Sequence, residues 1–155
     1  MKVQMATIDD LGEWLHVASQ VEHLFGPMIS DPAFLEALSK NVQRGSALCV
    51  REEDGPPGTP LMGGMLYSVS KAPVYQIGWL AVSEKWRGNG VASALIRHVV
   101  ERIVAPAELI VTTFGEDNIA GRPARRLYER VGFVPAEMAP NGPEGGTRQI
   151  FRCHL

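Results

Sequence analysis

The chain has 155 residues, a length that fits one folded domain, and we expect residues 1–155 to form it. Hydrophobic residues make up 45% and charged residues 21%, which allows a core and excludes a disordered chain. The formal net charge of -2 gives no indication of a nucleic-acid or membrane partner. The N-terminus lacks a signal-peptide pattern, and no apolar run approaches the roughly 18 residues of a membrane span. We therefore expect a cytoplasmic protein.

Cysteine and histidine give no indication of a metal site. Cys49 and Cys153 lack the spacing of metal ligands and fall in predicted strands, so we interpret them as reduced, buried thiols. The four histidines are scattered, and no two have the i, i+4 spacing of a helical zinc site. We expect no metal.

The first half of the chain predicts one strand, two helices and three more strands. Thr7 and Asp10 resemble a capping box, after which apolar residues recur at i, i+3, i+4 and i+7 until Gly26-Pro27. A second helix begins after Asp31 and ends at Gly45. The strands of this half are predicted at Met1–Ile8, Ser46–Arg51, Leu61–Ser70 and Val74–Val82. Within the third of these, Gly63-Gly64 indicates a bulge or a close approach of the backbone.

The second half predicts two helices that alternate with strands. In chain order these are a helix at Gly88–Val104, a strand at Leu109–Phe114, a helix at Pro123–Val131, and strands at Phe133–Ala136 and Arg148–Leu155. The order is therefore β-α-α-β-β-β-α-β-α-β-β. It predicts an α/β (α+β) fold: one mixed, mostly antiparallel sheet of six to seven strands, flanked by about four helices. A parallel pair of strands is expected around the Gly88–Val104 helix.

Two glycines, Gly88 and Gly90, lie between a predicted strand and the start of a helix. Glycines there let backbone amides approach an anion, and the helix N-terminus favours negative charge, so this turn suits a pyrophosphate. A P-loop would require Gly-Lys-Ser/Thr, which is absent. A dinucleotide-binding turn would require Gly-x-Gly-x-x-Gly after the first strand, and this turn matches only half of that pattern.

The segment Arg87-Gly88-Asn89-Gly90-Val91-Ala92 matches the Arg/Gln-x-x-Gly-x-Gly/Ala signature of the GNAT superfamily of N-acetyltransferases. The preceding Ile77–Val82 resembles the central strand of that family, and the element order agrees along essentially the whole chain. The resemblance implies acetyl-coenzyme A as cosubstrate. It implies that the backbone at Leu80, Ala81 and Val82 pairs with the pantetheine arm. It also implies that the amides from Arg87 to Ala92 (Arg87, Gly88, Asn89, Gly90, Val91 and Ala92) hold the pyrophosphate.

The segment Arg122–Phe133 resembles the second signature of the family, Ala-x-x-Leu-Tyr-x-x-x-Gly-Phe. It implies that Tyr128 is the acid that protonates the leaving thiolate, although a core tyrosine is the alternative. Family members often have an Asn shortly before this helix that contacts the cofactor, and Asn118 is the nearest candidate. The alternative for Asn118 is a turn asparagine. Arg125 and Arg126 either meet coenzyme A phosphates or face water.

The general base and the acceptor do not follow from the sequence. Val74–Val82 contains no acid or histidine, and Glu22, His23 and Glu84 are candidates for which a surface position is the favoured interpretation. Side chains that either line an acceptor pocket or belong to the core are Trp14, His23, Phe25, Met28, Tyr67 and Trp79. A pocket with few acids would suit an amine less cationic than a polyamine.

Three functions remain open on these grounds. The first is an N-acetyltransferase that passes the acetyl group directly to a primary amine of a small molecule or peptide. The second is a non-catalytic acyl-coenzyme A sensor of the same fold, and the third, less favoured, is a nucleotide-binding module. Dimerisation is common in this fold, so a homodimer is compatible with the sequence without being indicated by it.

Overall fold

The computed structural model describes all residues, 1–155, and contains one seven-stranded sheet in the order β1-β2-β3-β4-β5-β7-β6. The strands are β1 Val3–Met5, β2 Ala47–Arg51, β3 Leu61–Lys71, β4 Val74–Val82, β5 Glu108–Phe114, β6 Val134–Ala139 and β7 Arg148–His154. The helices are α1 Leu11–Ser19, α2 Glu22–Phe25, α3 Pro32–Arg44, α4 Val91–Val100 and α5 Arg122–Arg130. No helix combines the length and the apolar character needed to cross a lipid bilayer.

One pair of neighbouring strands, β4 and β5, is parallel, and all other pairs are antiparallel. The parallel pair requires a crossover connection, which α4 provides. The structure therefore confirms the predicted mixed, mostly antiparallel sheet and the position of its parallel pair.

The first predicted helix is divided in two, so the structure has five α-helices where about four were expected. The Ser19 hydroxyl donates to the His16 carbonyl at 2.6 Å, a side-chain bond that competes with the helical ladder. The Gln20 side chain accepts from the Glu84 backbone N–H at 2.8 Å, and Val21 leaves the helical conformation with φ -116° and ψ 5°. At this break, the bond between Gln20 and Glu84 connects the end of α1 to the loop that follows β4.

Apolar side chains fill both faces of the sheet. On one face α4 and α5 cover a cluster that includes Leu95, Ile96 and Phe151, and on the other α1 and α3 cover a cluster around Trp14 and Leu38. Each fully buried side chain of this size contributes roughly 1.5–3 kcal/mol of transfer free energy. The two clusters hold the sheet between two layers of helices.

Two adjacent glycines in β3 let both layers approach the sheet closely. A Cβ on Gly63 would lie 2.8 Å from Val91 Cγ1, and one on Gly64 would lie 2.7 Å from the Trp14 ring. The close approach predicted for Gly63-Gly64 is thus present, and a bulge directly precedes it, since Val50 faces Gly63 and Arg51 faces Leu61, which leaves Met62 as an extra residue in β3. A second bulge lies in β4 at Gly78.

A buried ion pair fixes the N-terminal segment. Asp10 and Arg51 are 1% and 3% exposed, and two guanidinium nitrogens donate to the Asp10 carboxylate at 3.0 and 2.7 Å. Thr7 and Gly58 add backbone N–H bonds to the same carboxylate. Burial would raise the pKa of Asp10, but the hydrogen bonds from Arg51, Thr7 and Gly58 hold it below its usual value. The capping box predicted at Thr7 and Asp10 is present.

Several predicted boundaries shift. Helix α4 begins at Val91 rather than at Gly88, because Gly88 and Gly90 have φ values of 78° and 81° that an α-helix does not allow. Strand β6 covers Val134–Ala139 rather than Phe133–Ala136. Both cysteines are free and buried, and burial raises the pKa of the Cys49 thiol to about 11.

Candidate functional site

The two parallel strands diverge halfway along their length. Their last paired residues are Ile77 and Val111. Immediately after this pair, Gly78 is an extra residue in β4, since Ile77 faces Tyr67 and Trp79 faces Leu66 on β3. A bulge of this kind bends the strand and ends regular pairing. From Gly78 onward β4 is paired only with β3.

A cavity of about 890 Å³ occupies the gap between the diverging strands, and most of its lining is apolar. Helix α2, the turn before α4 and one face of α5 all contribute residues to its lining. A volume of this size lies in the range of sites for drug-sized ligands. The cavity is the candidate functional site.

The wall formed by β4 presents unpaired backbone groups to the cavity. The Ser83 N–H donates to the Met62 carbonyl at 2.8 Å, so alternate residues along β4 bond towards β3. Leu80 and Val82 are the intervening residues, and their N–H and C=O groups point to the side where no strand pairs. Leu80, Ala81 and Val82, all predicted from the sequence, line the cavity.

The glycine turn forms the end of the cavity at α4. The first helical bond runs from the Ala94 N–H to the Gly90 carbonyl at 3.0 Å, which leaves the N–H groups before it without helical partners. No protein atom lies within 4 Å of a Cβ built on Gly88 or Gly90. Of the residues predicted here, the cavity is lined by Arg87, Gly88, Gly90, Val91 and Ala92.

The Asn89 side chain stabilises the turn rather than lining the cavity. Its Nδ2 donates to the carbonyls of Trp86 and Arg87, both at 3.1 Å. Trp86 itself lines the cavity, and its indole N–H is buried without a hydrogen-bond partner.

Three arginines of the lining belong to the turn before α4 and to α5. Arg126 and Arg130 are one turn apart on α5 and line the rim together with Arg87. For Arg125 the sequence left a phosphate contact and a solvent-facing position open. Its guanidinium instead donates to the Phe114 carbonyl at 2.9 Å and to the Gln149 side chain at 2.7 Å. The turn and α5 thus give the cavity three cations and a helix N-terminus, which together suit a polyanion.

Tyr128 lies on the inner face of α5 and lines the middle of the cavity. It is 6% exposed, and its ring packs edge-on against Phe133 and Phe151, with ring centroids 5.4 and 6.3 Å apart. No protein group hydrogen-bonds its hydroxyl. Burial raises the pKa of Tyr128 well above its usual value, so the phenol stays protonated at neutral pH.

The structure does not bring Asn118 to the cavity. Its Oδ1 accepts from the Gly121 N–H at 3.2 Å and caps the single turn Ile119–Gly121 that precedes α5. The expected pantetheine contact therefore has no support in this geometry, and the turn interpretation fits, because Asn side chains favour such local caps.

No carboxylate or imidazole lines the cavity. Of the three base candidates, His23 and Glu84 are exposed. Glu22 accepts the backbone N–H groups of Met28 and Ile29 at 2.6 and 3.2 Å and so shapes the loop after α2. In addition, no group of three His, Cys, Asp or Glu side chains could hold a metal ion.

The end of the cavity between α2 and β5 is aromatic. Phe25 stacks on Phe114 with 5.3 Å between ring centroids, and Trp79 lines the same region. Phe25 and Trp79 were predicted for an acceptor pocket. The other four candidates do not line the cavity: Trp14, His23, Met28 and Tyr67.

Arg148 at this end was not predicted. It is 8% exposed, lines the cavity, and holds its guanidinium 4.7 Å from the Phe114 ring centroid. Strand β7 also contains Gln149, Arg152 and His154, so no pattern in the sequence singles out Arg148, and its location depends on the pairing of β7 with β5.

Comparison with known proteins agrees with this geometry. A model of the acetyltransferase (GNAT) domain matches residues 44–135, more than half of the chain. A GNAT-family acetyltransferase from Bacillus cereus has a TM-score of 0.74 at 18% identity, covering 99% of this chain and 96% of that one.

Two further solved structures share the fold. A ribosomal-protein-alanine N-acetyltransferase from Brucella melitensis has a TM-score of 0.70 at 16% identity, with complete coverage of both chains. A chain of the NatC complex bound to Gag peptide and CoA has a TM-score of 0.69 at 19% identity, covering 100% of this chain and 99% of that one.

Proposed function

This chain belongs to the GNAT family of acetyltransferases, and we propose that it transfers the acetyl group of acetyl-CoA directly to a primary amine of a small molecule or peptide. The observation that carries the proposal is the cavity between β4 and β5. It combines an unpaired strand edge, an anion-binding helix terminus and a protonated tyrosine, Tyr128.

The lining of the cavity fits coenzyme A in three places. The free backbone groups of Leu80 and Val82 would pair with the amides of the pantetheine arm as an added strand does. The N–H groups at the start of α4 would hold the pyrophosphate, where the open space beside Gly90 leaves room for it. Arg126 and Arg130 would neutralise further phosphate charge. A solved neighbour of the same fold is bound to CoA, which is consistent with this assignment.

Acetyl-CoA would supply an acetyl group activated as a thioester. In the transfer a C–N bond forms and the C–S bond breaks, while the amine nitrogen loses one proton and the sulfur gains one. Tyr128 is suited to supply the proton for the sulfur, because its hydroxyl has no protein partner and its raised pKa keeps it protonated.

The cavity offers no side-chain base for the amine. An apolar wall of this kind disfavours an ammonium ion and so favours entry of the neutral amine. The proton released from the nitrogen would pass to water, and Tyr128 would regain from water the proton that it gives to the sulfur. The chain's own contribution would consist of positioning the amine and the thioester and holding the acid, Tyr128.

A non-catalytic acyl-CoA-binding module is the second candidate function. The absence of any carboxylate or imidazole from the cavity lining favours it, because many acetyl transfers use a general base. Such a module would bind acetyl-CoA with the same turn and release no thiol.

Two measurements separate these functions. Titration calorimetry with acetyl-CoA tests binding, and a thiol-reactive dye reads free CoA during incubation with a broad panel of amines and peptides. Binding with amine-dependent thiol release supports the acetyltransferase. Binding without release from any acceptor supports the module, and absence of binding contradicts both.

A further inference from the structure

We propose that the acceptor carries a carboxylate as well as its amine, on an apolar body such as that of an aromatic amino acid, and that Arg148 binds the carboxylate. This inference rests on the proposed acetyltransferase function and names the substrate class of the same cavity.

The position of Arg148 comes from strand pairing. It is the first residue of β7 and faces Phe114, the last residue of β5, across the sheet. The guanidinium carbon lies 4.7 Å from the centroid of the Phe114 ring. The Phe25 ring also stacks on Phe114. A cation held against an aromatic face keeps a defined orientation. The charge of Arg148 is therefore fixed at the aromatic end of the cavity.

The loop before β7 orients the guanidinium without using all of its donors. Nη2 is paired with Glu144, and Nη1 donates to the carbonyls of Thr147 at 3.1 Å and Gly146 at 3.4 Å. Glu144 does not line the cavity. Nε–H makes no hydrogen bond in the protein. Because a guanidinium has five N–H donors in a planar fork, Arg148 retains donors for a carboxylate.

The charges around the cavity favour an acceptor with a negative group. All of its charged lining residues are arginines, and three of them lie at the turn before α4 and on α5, where phosphates are proposed to bind. Arg148 is the remaining one and lies at the aromatic end, over the Phe114 ring. Glu144 pairs with Nη2 of Arg148 from outside the lining, and the donors that this pair leaves free, Nε–H among them, complement an anionic group rather than a polycation.

The shape of this end favours a small acceptor with an apolar body. Phe25, Phe114 and Trp79 provide flat apolar surface. The connection after α2 meets the loop between β6 and β7, because a Cβ on Gly26 would lie 3.3 Å from Pro143. The two segments adjoin Phe25 and Arg148 of the lining, and we infer that they favour a free amino acid over an extended peptide at this end.

Binding of reaction products tests the inference without requiring turnover. The wild-type protein, saturated with CoA, is titrated with the N-acetyl forms of phenylalanine, its β-amino isomer and leucine, and with the primary amide of each. We expect at least one carboxylate to bind about tenfold or more tightly than its amide, as a charge-assisted hydrogen bond would give. Equal affinity within every pair would overturn the inference.

Variants assign the preference to Arg148. Arg148→Gln should abolish the preference for the carboxylate, Arg148→Lys should retain part of it, and Arg97→Gln, on the exposed face of α4, should leave it intact. A preference that persists in Arg148→Gln overturns the assignment. Because Arg148 is buried, a melting curve of each variant checks that it is folded. The comparison of acid and amide in the wild type needs no substitution and does not depend on the variants.

The inference and the proposed function fail separately. Thiol release with neutral amines, together with no carboxylate preference, would overturn the inference and leave the acetyltransferase intact. Loss of acetyl-CoA binding in the wild type would contradict the proposed function itself.

Discussion

Ile77 and Val111 are the last residues that face each other across the parallel pair of β4 and β5. The extra residue Gly78 follows Ile77, and beyond it the two strands share no further pairing. A bulge at this position converts the edge of β4 into a free row of backbone donors and acceptors. The cavity therefore exists because the sheet is interrupted at one glycine.

The first prediction concerns the glycine turn. Gly90→Trp should weaken acetyl-CoA binding by roughly a hundredfold or more, since each charge-assisted bond to phosphate contributes about 1.5–3 kcal/mol. Beyond its chain neighbours, a Cβ on Gly90 would have no protein atom within 4 Å, so the indole would extend into the open space beside α4. Titration calorimetry measures the affinity.

Gly145→Trp is the matched control for this substitution. Gly145 also has a left-handed backbone, with φ 89°, and no atom within 4 Å of its Cβ position. Both variants therefore carry a strain of about 1–2 kcal/mol. Only Gly90→Trp should lose affinity for acetyl-CoA, and unchanged affinity would refute the site assignment.

The second prediction concerns the acid. Tyr128→Phe should lower kcat by roughly a hundredfold, as loss of a positioned acid does, and leave acetyl-CoA affinity nearly unchanged. The variant should fold as well as the wild type, because the hydroxyl makes no hydrogen bond within the protein. Steady-state kinetics with a thiol readout give both parameters.

Tyr67→Phe is the control for Tyr128→Phe. It removes another partly buried hydroxyl, one that lies outside the cavity. If kcat of Tyr128→Phe equals that of Tyr67→Phe, Tyr128 is a core residue and not the acid.

The glycine turn could be predicted because its function depends on local backbone geometry. Gly88 and Gly90 are adjacent to the strand and the helix that use them, so their spacing in the sequence already specifies the turn. The same holds for Leu80 and Val82, since strand alternation alone indicates which residues of β4 share a side.

The acceptor end could not be predicted in the same way. Phe25, Phe114 and Arg148 come from a short helix and two strands, and only the pairing of β5 with β7 brings the last two together. The two interpretations of Asn118 stayed open for a related reason: its distance to the cavity depends on how the turn before α5 folds, and its side chain caps that turn.

The third prediction concerns the dependence of rate on pH. Because no carboxylate or imidazole lines the cavity, kcat/KM should rise with pH until the free amine is deprotonated. With two acceptors whose amines have different pKa values, the ascending limbs of the two pH profiles should be displaced by the difference between these pKa values. A limb that stays near pH 6–7 for both acceptors would indicate a side-chain base and contradict the proposal.

The same pH profile tests the state of Tyr128. Burial raises its pKa above the usual value of about 10, so the protonated acid persists through the alkaline range. The plateau should extend to about pH 10 without a descending limb. A loss of rate between pH 8 and about 9 in a protein that remains folded would contradict a raised pKa.

The last prediction concerns the buried ion pair between Asp10 and Arg51. Asp10→Asn should lower the free energy of unfolding by about 3–5 kcal/mol, because it leaves a buried guanidinium without a countercharge. Urea unfolding at neutral pH measures the loss. Glu36→Gln removes an exposed partner of Lys40 and should change stability little, since exposed pairs contribute little.

The acid dependence of stability follows from the lowered pKa of Asp10. Burial opposes the lowering, and the bonds from Arg51, Thr7 and Gly58 outweigh it. A carboxyl with a lowered folded-state pKa stabilises the fold fully above its unfolded value, about 3.9, and loses this contribution as pH falls through the folded value. Wild-type stability should therefore fall below about pH 4, and Asp10→Asn should show a shallower decline there. Parallel declines in the two proteins would show that other carboxyls govern acid unfolding.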